Sequence, residues 1–169
     1  MKLFGIVLTA ATVCITGNYF SRQKIKRISI LENFVMFIKF LRIQIEFSKQ
    51  PVEKIIEQAV NSGEFESCGF LKLCLDRLKK GEPLQSAWKS SADGFLNRSP
   101  ITVGDCQKLK DFSNLLGSSD TGGQMRNCDT YIGILQLNID TLKKSADKSV
   151  KIINTLSLFA AAFVIIFFI

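Results

Sequence analysis

The chain has 169 residues, 47% hydrophobic and 22% charged, with 22 basic against 15 acidic side chains and a formal net charge of +7. A mean hydropathy of +0.19 is too apolar for disorder, and the charge is too high for a chain lying wholly in lipid, so the polypeptide must be partitioned. It has no His, and its five Cys (Cys14, Cys68, Cys74, Cys106, Cys128) form no CxxC pair; this argues against a zinc site or a disulfide framework and leaves the thiols as reduced core residues.

The first element is Leu3 to Phe20 (LFGIVLTAATVCITGNYF), without a charge. As a helix rising about 1.5 Å per residue it reaches about 27 Å, close to the roughly 30 Å hydrocarbon core of a bilayer. A cleaved signal peptide is the rival reading, since Lys2 precedes an apolar run. The basic residues Arg22, Lys24, Lys26 and Arg27 follow at once, and clusters of this kind stay on the cytoplasmic side, so an uncleaved anchor over residues 1–20 is expected.

From Ile25, apolar residues recur at helical spacing through Ile28, Leu31, Val35, Ile38, Leu41 and Ile45, one long helix to Phe47. Phe34, Phe37, Phe40 and Phe47 widen its apolar surface and make it central to a bundle. Pro51 suits the first turn of a second helix, with Val52, Ile55, Ile56, Ala59 and Val60 inward and Gly63 closing it. A third helix fits Phe65 to Lys80, with Phe70, Leu71, Cys74, Leu75 and Leu78 inward and Gly81 as its cap. Pro83 starts a fourth, carrying Leu84, Ala87, Trp88 and Phe95. Thr102 followed by Asp105 resembles a capping box opening a fifth, which runs through Leu109, Phe112, Leu115 and Leu116 to Gly117.

The last helix has the clearest pattern. Met125, Cys128, Ile132, Leu135, Ile139, Leu142 and Ala146 alternate spacings of three and four, and the register continues through Val150 and Ile153. Beyond Lys143, Lys144, Lys148 and Lys151 lies the uncharged run Ile152 to Ile169, expected as a second span whose cytoplasmic flank is its N-terminal one. Both termini then face outward, everything from Ser21 to Lys151 stays inside, and no outer domain is expected. The fold expected is all-α: an antiparallel bundle of about six helices over residues 21–151, between transmembrane helices over 1–20 and 152–169. Those spans are expected to be continuous with the first and last bundle helices, coupling the domain rigidly to the bilayer.

A glycine-rich phosphate loop, an HExxH and a nucleophile elbow are all missing, and without His no ordinary general base is at hand, so the expectation is no enzyme, no cofactor and no metal. The basic clusters abut the apolar ends, where the topology rule and anionic lipid account for them, so nucleic acid is not expected as a partner. One segment asks for more than capping: LLGSSDTGGQ, Leu115 to Gln124. Gly117 closes one helix and Ser119 or Asp120 caps the next, but Gly122 and Gly123 then fall in a first helical turn, each costing up to about 1 kcal/mol relative to Ala.

An anchor followed by a basic helix, an LGxSDxxxQ-like turn (Leu116, Gly117, Ser119, Asp120, Gln124) and a terminal apolar segment together resemble the stage III sporulation protein AB family. The resemblance covers nearly the whole chain; its double glycine is a departure. That family's soluble domain is similar to the cytoplasmic helical domain of the type II secretion inner-membrane platform protein. The resemblance implies a non-enzymatic platform component of the channel between mother cell and forespore. It further implies a location in the outer forespore membrane on the mother cell side, a secretion-type ATPase as cytoplasmic partner, and other sporulation channel proteins beside it. A homo-oligomer is left open. The alternative is a membrane-tethered signalling or receptor-like helical hairpin that dimerises through the Met125–Ala146 stripe of its last helix.

Overall fold

The computed structural model describes residues 2–48, 50–117 and 120–168; for 2–21, 149–154 and 156–168 it describes the course of the helix alone. Six helices follow in order: α1 (Lys2–Phe47), α2 (Val52–Ser62), α3 (Gly69–Leu78), α4 (Leu84–Leu96), α5 (Val103–Ser113) and α6 (Thr121–Phe168). No strand occurs among the described residues. The chain divides into two compact units, residues 27–139 and residues 1–26 with 140–169. Apolar patterning puts the expected segment boundaries at 20 and 151; α1 and α6 each contribute to both units. Among the described residues no helix is long and apolar enough to cross a membrane. Apart from Thr155, the spans expected over 1–20 and 152–169 lie outside the residues whose side chains are described.

The unit of residues 27–139 is built on aromatic packing around α1. Ile28, Leu31, Val35, Ile38, Leu41 and Ile45, the predicted stripe, are all buried. Phe34, fully buried between them, meets Phe70 of α3 edge-on at 5.6 Å, Trp88 of α4 at 6.3 Å and Phe112 of α5 edge-on at 5.8 Å. Edge-to-face and tilted pairs of this kind add about 0.5–1.5 kcal/mol each beyond area burial. Trp88 is fully buried, yet its indole N–H donates to Leu109 O at 2.7 Å, so that donor is not left unpaired at the centre. Phe47 departs from expectation and is 78% exposed. Thirteen residues after Phe34, at about 100° per residue, it has turned about 220° round the helix and away from the core.

Two helices are shorter than their patterns suggested. Phe65 is buried against Phe37 (5.8 Å) and Phe40 (5.5 Å) of α1. The chain therefore turns there, with Cys68 N–H donating to Phe65 O at 2.9 Å, before α3 begins at Gly69. A Cβ at Gly69 would lie 3.2 Å from Phe95 Cε2, so α3 and α4 approach each other closely at that point. At α5 the capping box forms as read: Asp105 N–H donates to Thr102 Oγ1 and Thr102 N–H to Asp105 Oδ2. Regular helix ends at Ser113, after which Asn114, Leu115 and Leu116 bond three residues back, tightening the final turn. The glycines expected to close helices, Gly63, Gly81 and Gly117, all take positive φ.

Cys68, Cys74, Cys106 and Cys128 are free and buried; Cys14 lies outside the described side chains. Burial pushes Cys74 up to about 12 and Cys128 up to about 11, so these thiols are protonated and inert at neutral pH.

Candidate functional site

The turn that carried the family resemblance is built from ordinary punctuation. Leu116 is buried and anchors the loop to the core. Gly117 follows at φ 70°, a left-handed conformation that an L side chain adopts only with strain. Ser118 and Ser119 lie outside the described residues, so the expected role of Ser119 does too. Asp120 is exposed and caps α6: its Oδ1 accepts from Gly123 N–H at 3.0 Å, while Gln124 N–H donates to Asp120 O at 2.9 Å. Gln124 is half-buried and Gly123 buried. A Cβ at Gly122 would meet Arg126 Nη1 at 3.6 Å and Asp120 Oδ2 at 3.7 Å, ordinary contacts. Packing therefore does not demand glycine at position 122.

The basic residues part company. Arg22, Lys24 and Lys26 are exposed, as are Lys143, Lys144 and Lys148, and all six belong to the unit of residues 1–26 with 140–169. Lys151 belongs to the same unit, its side chain outside the described set. Arg27 belongs to the other. Its Nε donates to Asp105 Oδ2 at 2.6 Å, and its Nη2 to Asp105 Oδ1 at 3.1 Å and to Thr102 Oγ1 at 3.2 Å. Asp105 is 1% exposed and Arg27 23% by side chain, so a two-pronged pair from α1 grips the cap of α5. Burial alone would raise the Asp105 carboxyl; the Arg27 hydrogen bonds, and then those from Thr102, outweigh it and hold the group below the usual carboxylate range. Sequence reasoning missed this pair because its members stand 78 positions apart. The buried N3 residue of a capping box was the available signal.

A surface feature also escaped notice. Met36, Phe40, Ile43 and Phe47 recur at spacings of four, three and four along α1, opposite its buried stripe. Met36 is 54%, Ile43 50% and Phe47 78% exposed, and Phe40 is half-buried beside Phe65. Phe65 in turn lines a cavity of about 390 Å³ with Ala59 and Val60 of α2 and Leu71 and Lys72 of α3. On α6 the predicted seam faces inward: Cys128, Ile132, Leu135 and Ile139 are buried, together with Tyr131, whose hydroxyl donates to Lys108 O. Tyr131 was absent from the heptad reading and meets Phe112 at 5.1 Å. Among the described residues no group of His, Cys, Asp and Glu is arranged to hold a metal ion.

Comparison with known proteins places this architecture. The family model described as stage III sporulation protein AB matches residues 2–169. A solved structure of stage III sporulation protein AB is similar at 16% identity with a TM-score of 0.64, covering 72% of this chain and 97% of that one. At that identity the likeness speaks to the fold alone. No curated protein matches.

Proposed function

The chain belongs to the stage III sporulation protein AB family, and from that membership we propose that it is a non-enzymatic membrane platform of the channel between mother cell and forespore. In this reading residues 1–20 and 152–169 cross the outer forespore membrane, both termini lie outside the cytoplasm, and the helical domain faces the mother cell. The observation that supports it most is the run of α1 from Lys2 to Phe47 and of α6 from Thr121 to Phe168. The same two helices that hold the aromatic core also carry the two uncharged terminal segments.

A platform of the type II secretion kind receives a secretion-type ATPase from the cytoplasm. The exposed α1 stripe of Met36, Ile43 and Phe47, beside Phe40 and Phe65, is the surface best suited to that partner, since contiguous apolar area on a small domain is characteristic of protein contacts. Other channel proteins of the same membrane are the second class of partner. The receptor-like alternative, dimerising through Met125–Ala146, has less support because Cys128, Ile132, Leu135 and Ile139 are buried within the chain's own core.

Two measurements test the proposal. Full-length protein in detergent should retain the candidate ATPase, and Met36→Ser with Phe47→Ser should weaken that retention without unfolding the domain. A deletion strain should stall in spore formation; normal spores from such a strain, under conditions where the protein is made, would refute the platform role.

A further inference from the structure

The net charge of +7 is not spread over the molecule. Residues 27–139 hold 14 basic and 13 acidic side chains, a net of +1 over 113 residues. The short segments 21–26 and 140–151 hold seven basic and two acidic side chains, a net of +5 over 18 residues; Lys2 supplies the rest. Those two segments belong to one compact unit, and Arg22, Lys24, Lys26, Lys143, Lys144 and Lys148 are exposed in it.

From this distribution we propose that the two segments form a collar that binds anionic phospholipid headgroups, selecting phosphatidylglycerol-type lipids over zwitterionic ones. The inference rests on the spanning reading of the terminal segments. Axial reach suits it: at about 1.5 Å per residue, Arg22 to Lys26 covers about 6 Å and Lys143 to Lys151 about 12 Å, the scale of one headgroup layer beside a hydrocarbon core of roughly 30 Å. Lysine and arginine stems lie along apolar surface while their charged heads reach the phosphates. The two acids, Asp140 and Asp147, both exposed, share the collar and leave it strongly positive. A nucleic-acid duplex fits less well: it presents a charge about every 1.7 Å along its axis, and residues 27–139 add a net of only +1 to meet it.

The test uses full-length protein in dodecylmaltoside, titrated with phosphatidylglycerol, phosphatidylcholine, inorganic phosphate or duplex DNA, with retained lipid counted by native mass spectrometry and Tm recorded. Phosphatidylglycerol should be retained and raise Tm, with both effects shrinking as salt rises; phosphatidylcholine should do neither. Each of Lys24→Gln, Lys26→Gln, Lys143→Gln and Lys144→Gln should lower relative retention about fivefold. The matching Lys→Arg set should restore it, which separates lost charge from lost folding. Equal retention of the two lipids, an equal Tm rise from phosphate or DNA, or full retention by the Gln variants would overturn the collar. Alkaline carbonate washing of membranes tests the underlying reading separately: release of the chain refutes the spans, whereas the lipid preference in micelles stands or falls by its own readout.

Discussion

Helices α5 and α6 both begin on a side-chain cap, but the two caps do different work. At α5 the Thr102–Asp105 box is buried, reciprocal, and seized by Arg27 from a helix 75 residues and more away in sequence. At α6 the exposed Asp120 accepts from Gly123 N–H through its side chain, with Gly122 beside it in the first turn. The same local device is thus a tertiary clasp in one place and simple punctuation in the other. Burial of the acid decides which: a buried carboxylate needs a partner, and α1 supplies it.

Substitutions can sharpen that contrast. Arg27→Met should cost most, about 3 kcal/mol, because it leaves the buried Asp105 charge with only Thr102 to answer it; thermal unfolding of the full chain in detergent would register the loss. Asp105→Ala should cost about 2 kcal/mol, less because the stranded Arg27 is partly exposed and can turn to water. A cost for Arg27→Met no larger than that of a surface pair would break the comparison. The pH dependence follows from the lowered Asp105 value. Its contribution is fully present above the ordinary unfolded value of about 3.9 and disappears as pH falls through the folded value. The stability gap between the natural chain and Asp105→Asn should therefore hold from neutral pH to about pH 5 and close below about pH 4.

Asp120→Ala should cost only about 1 kcal/mol, the worth of one exposed cap. Smallest and opposite in sign, Gly122→Ala should gain roughly 0.5–1 kcal/mol, since ordinary contacts surround the added methyl group and the unfolded chain loses freedom. A destabilising Gly122→Ala would show that the first turn of α6 is not the simple punctuation argued for it.

Much of the fold was legible because the chain writes it locally. The buried α1 stripe, the Thr102–Asp105 box, the positive-φ glycines and the α6 seam all follow from spacing within a few turns. What was not legible depends on residues far apart. Phe65 leaves the α3 pattern to pack on Phe37 and Phe40, Tyr131 joins the core between heptad positions, and Phe47 turns away from it. Arg27 reads in sequence as one more basic residue after an apolar run, and only the approach of α5 distinguishes it from Arg22, Lys24 and Lys26. Within the candidate site, Gly117 and Asp120 were readable as caps, whereas the exposed α1 stripe was hidden by its resemblance to core spacing.

The place of Phe34 has a consequence for synthesis. It is made early, yet its partners arrive in series, Phe70, then Trp88, then Phe112. At about 5–20 residues per second, the 78 residues separating Phe34 from Phe112 take roughly 4–16 s to emerge. Until Phe112 arrives the face of α1 around Phe34 is incompletely covered, and we expect a chain arrested near residue 100 to be cleaved by protease in α1 far faster than the finished protein.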